Sequence, residues 1–326
     1  MFYRLRKRLA KEIDKTFFRI SRAQIDEALR KVGLRKGDVV CVHSMLSRTG
    51  FFVDGPEAII DSLVNIVGQA GSIMMPTFPT RGSMLAYLDK GNVFDVRNSP
   101  SRVGFLTETF RRRPGVRRSL HPTSPVAAWG DKAEFFIEGH ENSLTPYGND
   151  TPYGRMITLD RCFILMIGVP ILTLAHHLQE KVEFPNLFLP GIREVEVIDR
   201  KGRRQHMRTR IIRPRIPYYV AIPSARAGGP DWAILHDYLL MFPRERDRKV
   251  QHRGFSFAGY PRLYDRRKNL EAAGILRTAK LGKTEFGLLE CKAFADWILP
   301  EFSDLIDQFR TAYDPDRIAA LNLPYL

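Results

Sequence analysis

A strand, helix, strand succession between residues 38 and 76 constrains this chain more than any other feature. Asp38-Val39-Val40-Cys41-Val42-His43 is a short β-branched run suited to a buried strand. The helix predicted over 56–67 opens with Pro56 in its first turn, and Ile59, Ile60, Leu63, Val64 and Val67 fall on its inner face. Ser72-Ile73-Met74-Met75-Pro76 reads as a second strand, ended by proline. Two strands joined through a helix make a βαβ unit, so the fold class is α/β with a mainly parallel central sheet.

The flanking chain fits that class. Ser21 is an N-cap for a helix with Ile25, Leu29 and Val32 on one face and Gly33 as terminator. A helix is expected over about 101–112, and the apolar strand 162–168 leads into a helix carrying His176 and His177. After residue 185 the texture changes to Pro-, Arg- and Tyr-rich segments. Alternation over 194–198 before the turn Arg200-Lys201-Gly202 predicts an antiparallel excursion there, and helices near 231–240 and 292–310 close the chain. The expected organisation is a basic amphipathic helix over 1–18 and a single α/β domain over 19–326, with 186–290 as a basic excursion.

With 326 residues, 44% of them hydrophobic, the chain can bury a sizeable core. No run reaches the roughly 18 to 20 apolar residues of a membrane span, and no secretory signal follows Met1, so a cytoplasmic location is expected. Cys41, Cys162 and Cys291 lie far apart without CxxC spacing, which argues for reduced, buried thiols and for no metal site. Lys and Arg outnumber Asp and Glu by 51 to 36, a net charge of +15. The excess concentrates in two places: Lys201, Arg203, Arg204, Arg208, Arg210, Arg213 and Arg215, and Arg4, Arg6, Lys7, Arg8 and Lys11. Each reads either as a solvated face or as an anion-attracting surface. Phe2, Leu5, Leu9 and Ile13 recur at helical spacing opposite the second group, which suggests peripheral contact with the inner face of a membrane.

Several short motifs occur in a fixed order. They are Gly37-Asp38 through His43-Ser44-Met45-Leu46-Ser47, then Met75-Pro76-Thr77-Phe78, then Phe94-Asp95 through Ser99-Pro100-Ser101-Arg102-Val103-Gly104 with Glu108 and Phe110-Arg111. Arg117-Arg118-Ser119-Leu120-His121-Pro122 follows, then Thr145-Pro146-Tyr147-Gly148, then Thr173 and His176 with Pro185 and Asn186. In this order they resemble the aminoglycoside 3-N-acetyltransferase-like family, also called the antibiotic N-acetyltransferase family, over roughly residues 20 to 300. The resemblance implies a three-layer α/β/α sandwich and transfer of an acetyl group from acetyl-coenzyme A to an amine of an aminocyclitol or amino sugar.

Such a reaction needs a base, because an amine at neutral pH is mostly protonated and must lose a proton before attacking a thioester. By the family's TxxH…PN pattern that base is His176, whose other reading is a packed helix histidine. His177 points elsewhere, since adjacent helix positions diverge by roughly 100°. The family usually has Glu three residues after the histidine, whereas this chain has Gln179, which can orient an imidazole but carries no charge. Glu180 lies four after His176 and three after His177, so it is expected as the orienting carboxylate or else as an exposed helix acid; Glu183 is within one further turn. His121 is either a site residue or a structural histidine bonded to backbone.

His43, Ser44, Met45, Leu46 and Ser47 end a strand, where α/β folds place ligands, and are expected against the pantetheine arm. Ser44 lacks a G-x-S-x-G elbow and Cys41 reads as a core thiol, so neither is expected as a nucleophile. By the resemblance, Thr77, Ser99, Ser101, Arg102, Val103 and Gly104 lie at the coenzyme A entrance; their other reading is a helix N-cap and first turn. The positive charge predicts a neutral or anionic acceptor, an amino sugar on a nucleotide, lipid or polysaccharide precursor, with aminoglycoside resistance as the alternative. The run Arg111 to Pro122 resembles members linked to extracellular polysaccharide synthesis. Two rivals remain. One is a coenzyme A-binding homologue without catalysis; the other is a nucleic-acid binder, for which Tyr218, Tyr219, Phe255 and Phe257 lie near arginines but no recognition motif is present. The partner expected is therefore a small molecule rather than nucleic acid, and a dimer is open.

Overall fold

The structure is a computed structural model that describes residues 9, 12–169, 173–184, 187–212, 219–222, 231–234 and 261–312. Helix α1 (Arg22–Lys31) begins at Ser21, whose hydroxyl accepts from Gln24 N–H while the Gln24 side chain reaches back to the Ser21 N–H, a reciprocal capping box. Strand β1 (Val39–Ser44), helix α2 (Gly55–Val67) and strand β2 (Ser72–Pro76) form the expected βαβ unit, with Pro56 in the first turn of α2. Ile59, Ile60 and Leu63 of α2 are fully buried. Each contributes about 1.5 to 3 kcal/mol by leaving water.

The main sheet adds α/β character but is mixed rather than mainly parallel. Strand β1 pairs in parallel with β2 on one side and with β5 (Cys162–Ile167) on the other. Outside this trio the ladders are antiparallel: β2 with β4 (Val126–Gly130), β4 with β3 (Arg117–Arg118), β5 with β9 (Thr284–Glu290), and β9 with β8 (Leu276–Leu281). The order is β8-β9-β5-β1-β2-β4-β3. Short connections explain two of these ladders: β3 to β4 and β8 to β9 leave no room for the crossover that a parallel neighbour requires.

Alternation along β1 divides the core. Val40 and Val42 pack with α1 and α2, whereas Val39 and Cys41 face the other layer, where Leu174, Ala175 and Leu178 of α5 (Leu174–Lys181) meet Phe294 and Ile298 of α6 (Cys291–Ala312). Helices thus cover both faces, the three-layer arrangement. The three cysteines are buried and free.

The antiparallel excursion forms as expected. Strand β6 (Arg193–Ile198) pairs with β7 (Arg204–Thr209), and the turn is tied by Asp199, which accepts from the N–H groups of Lys201 and Arg203. Gly202 at φ 82° takes the left-handed position there. Phe94–Asp95 adds to the far edge of β6 in parallel.

Three boundaries differ from expectation. The helix expected over 101–112 is α4 (Phe105–Arg111), because residues 99–104 are irregular, with Ser101 bonded through its hydroxyl to Thr107 and through its N–H to Glu108. Asp231–Ile234, expected to begin a helix, pairs as a strand with Tyr219–Ile222; Trp and Ile at alternate positions favour that conformation. Of residues 1–18, Leu9 and 12–17 are helical and most of the remainder lies outside the described residues, as do Pro185, Asn186, Arg213, Arg215, Tyr218, Phe255 and Phe257. Among the described residues no helix is long and apolar enough to cross a membrane.

Candidate active site

The carboxyl ends of β1, β2 and β5 lie side by side, and from them emerge the segments after Ser44, Pro76 and Ile167. Strand β1 has parallel neighbours on both sides, so its carboxyl end is a point where connections diverge, the usual ligand position in such sheets. Helix α5 is the next described helix after β5 and carries two adjacent histidines.

The helix separates them. His177 is buried and its Nδ1–H donates to the Tyr147 carbonyl at 2.7 Å. His176 is only partly covered, and its ring lies 4.9 Å from the Tyr147 ring at 37°. Its Nδ1 meets Oε1 of the buried Gln179 at 3.1 Å. With the amide oxygen accepting, Nδ1 carries the proton and the imidazole lone pair sits on Nε2. Gln179 therefore orients the ring.

Glu180 does not, which corrects the expectation for it. Its Oε1 accepts from the Thr145 hydroxyl, and desolvation pushes its carboxyl above the usual range despite that bond and the charge of Arg210. Gly148 permits this approach: a Cβ there would stand 2.8 Å from Thr145 Oγ1 and 3.3 Å from Glu180 Oε1. Glu183 lies past the helix end, exposed, at φ 52°.

His121 is fully buried, and its Nδ1 accepts from the N–H groups of Thr123 and Ser124 at 3.3 and 3.1 Å. That assignment puts its proton on Nε2 and leaves no lone pair for base chemistry, so the structural reading holds for it. Its ring stacks on His140 at 4.5 Å, and burial lowers its pKa to about 3. His140 Nδ1 lies 2.9 Å from Ser119 Oγ, which also accepts from Val126 N–H. At the end of β1, His43 lies 3.8 Å from Cys41 Sγ, the shared face expected of a regular strand, and burial lowers its pKa to about 4. Burial pushes the Cys41 thiol well up, consistent with a core residue.

Ser44, the last residue of β1, is partly covered; beyond it Met45 donates its N–H to Ile167 O, and Leu46, Ser47 and Arg48 form a 3₁₀ turn. Thr77 is fully buried, its hydroxyl donating to Pro125 O and accepting from Arg118 Nε, so it anchors a side chain instead of facing a cofactor. Ser99, Arg102 and Gly104 do line open space. A cleft of about 520 Å³ is bounded by Thr80, Tyr87, Lys90, Ser99 and Arg102, the Tyr87 part contributed by helix α3 (Met84–Asp89). A neighbouring hollow of about 640 Å³ is bounded by Arg81, Ser101, Arg102, Gly104 and Glu108. Val103 lies between them in sequence. Lys90, Arg81 and Arg102 give the pair the donors that phosphates take.

Two residues quoted only within motifs carry more than was expected. Tyr147 touches both histidines of α5. Arg118 is buried and bonds Thr77 and the Ser99 carbonyl, at 2.5 Å for the latter, with its guanidinium 4.7 Å from the Phe94 ring centre. Desolvation, then Arg111, lower its pKa to about 9. It ties the β2 end to the cleft wall. Among the described residues no three His, Cys, Asp or Glu stand together as metal ligands would.

The profile of the aminoglycoside 3-N-acetyltransferase family matches residues 41–301. The aminoglycoside N(3)-acetyltransferase IX of Micromonospora chalcea is 31% identical over 48% of this chain and 61% of its own length. The aminoglycoside N(3)-acetyltransferase VII of Streptomyces paromomycinus is 29% identical over 51% of this chain, which spans 62% of that relative. In structure, aminoglycoside acetyltransferase AAC(3)-Xa superposes with a TM-score of 0.66 at 22% identity, over 93% of this chain and 99% of its own. AAC-IIIb, solved as a binary complex with CoASH, gives 0.62 at 22% identity over 88% and 97%. With the ordered motifs, the three layers and a family match over most of its length, this chain belongs to the aminoglycoside 3-N-acetyltransferase family.

Proposed function

We propose that the protein transfers an acetyl group from acetyl-coenzyme A to an amine of an aminoglycoside-type aminocyclitol, with His176 as the base. The observation that carries this reading is the His176–Gln179 pair, a partly covered imidazole oriented by a buried amide on the helix that follows β5. The thioester supplies an activated acyl carbon and a thiolate leaving group. The amine attacks that carbon while its proton passes to His176 Nε2; the proton then leaves with the thiol. Gln179 keeps the Nδ1–H in place, Tyr147 fixes the ring plane, and the first-turn N–H groups after Met45 are suited to the developing oxyanion. The cleft between Lys90 and Arg102 fits the phosphate-bearing end of coenzyme A in charge and size. Relatives named for aminoglycosides, and a neighbouring structure of AAC-VIa bound to sisomicin, support the acceptor class.

One observation favours a second acceptor. Arg208 and Arg210 lie on or beside β7, with Arg210 N–H bonded to Leu144 O near Glu180, and a polycation would meet repulsion there. A neutral or anionic amino sugar, as found in polysaccharide or nucleotide-sugar precursors, fits that charge better. Thiol release from acetyl-coenzyme A, measured over aminoglycosides and anionic amino sugars in parallel, decides between them. His176→Ala should lower kcat by about 10²-fold or more with little change in coenzyme A affinity; turnover near wild type would remove His176 from the reaction. Coenzyme A binding without turnover on any amine would leave a non-catalytic homologue.

A further inference from the structure

Among the described residues, the helix preceding α1 is fastened to the body through its last turn and Phe18. Asp14 is paired with Lys283 in the β8–β9 turn at 2.6 Å, the same ammonium lies 5.5 Å from the Phe18 ring centre, and Phe51 N–H donates to Phe18 O. Away from that root stand Leu9, Ile13 and Phe17, 62%, 42% and 74% exposed. Spaced by four, they share one stripe within roughly 80° of arc. In the sequence the same spacing continues back through Leu5 and Phe2, among Arg4, Arg6, Lys7, Arg8, Lys11 and Lys15, against only Glu12 and Asp14.

We propose that this segment docks the protein on a lipid surface carrying anionic headgroups, with Leu9, Ile13 and Phe17 entering the headgroup boundary and the Lys and Arg residues meeting the lipid charge. Three large apolar side chains held outward by a polar root are costly in water, and the surplus of cations beside them selects an anionic surface over a neutral one. A second copy of the chain would bring the same cations together, which charge disfavours. The proposal is independent of the chemistry assigned to His176.

Co-sedimentation of the full chain with vesicles of phosphatidylglycerol and phosphatidylcholine, beside vesicles of phosphatidylcholine alone, tests it. Binding is expected to the first and not the second, and to weaken as salt rises. Replacing Leu9→Gln, Ile13→Gln and Phe17→Gln together should cut partitioning by about tenfold or more without moving the thermal midpoint or acetyl transfer to a soluble acceptor. Lys11→Gln with Lys15→Gln should reduce binding and its salt dependence. Equal binding to both vesicle types, a triple variant that sediments like wild type, or a dimer dissolved by the triple variant in a chain that never binds vesicles would each overturn the proposal.

Discussion

Gln179→Glu asks whether a single amide limits the basicity of the site. The amide oxygen lies 3.1 Å from His176 Nδ1 within a fully buried side chain. A carboxylate in that place would hold the same proton and add a charge beside the imidazolium that forms as the amine is deprotonated. Unit charges about 4 Å apart attract by about 4 kcal/mol at an effective dielectric constant near 20. Burial offsets much of it: Glu180, one residue on, is pushed up by desolvation even with a hydroxyl donor and an arginine nearby. About one pKa unit of net gain remains, worth about 1.4 kcal/mol or tenfold. The base works deprotonated, so a raised pKa moves the acid limb of kcat/KM to higher pH by about one unit, while the plateau above it rises by up to about tenfold. Thiol release against pH, with saturating acetyl-coenzyme A, reads both effects. A profile superimposable on wild type, from a variant that melts normally, would show that His176 does not carry the proton.

Other perturbations report on neighbouring features. Glu180 has a folded pKa above its unfolded value, so its contribution to stability is complete at low pH and is lost as pH rises through the folded value. Glu180→Gln should therefore raise the melting temperature at neutral pH and leave it unchanged in acid; equal shifts at both pH values would count against the buried carboxylate. His43, His121, His140 and His177 have the opposite sign, all held below the usual imidazole value by burial, at about 4 and about 3 for the first two. Stability should hold above about pH 6.5 and fall as pH drops below it, and a melting temperature flat from neutrality to pH 4 would refute their buried, neutral state. Arg118→Met removes donors from the Thr77 and Ser99 carbonyls. A loss of about 3 kcal/mol in stability, with a KM for acetyl-coenzyme A that rises more than kcat falls, is expected; an unchanged KM would separate Arg118 from the cleft.

Local chemistry was what the sequence exposed best. Ser21 as an N-cap, Pro56 in a first turn and the turn Arg200-Lys201-Gly202 each depend on atoms within four residues, and each formed as read. The βαβ unit was legible because its strands are buried on both faces and hence continuously apolar. What escaped depends on partners distant in the chain. Spacing alone places Glu180 within reach of His176, but Thr145, 35 residues earlier, takes its oxygen, and Gln179 at three residues' separation takes the imidazole. Burial of His121 and its stacking on His140 arise from a loop between β3 and β4 that sequence periodicity does not specify. Tyr147 sits in a turn-like run with no catalytic pattern, so its contacts with both histidines of α5 were invisible.

The placing of β9 has a consequence for how the chain must be made. Strand β5 leaves the ribosome more than a hundred residues before the segment that covers its outer edge, from Phe163 to Ile167. Until Thr284–Glu290 arrives, that edge offers a row of open peptide groups between apolar side chains, a template for stray pairing. Nascent or truncated products ending before residue 284 should be those that chaperones hold and that aggregate without them.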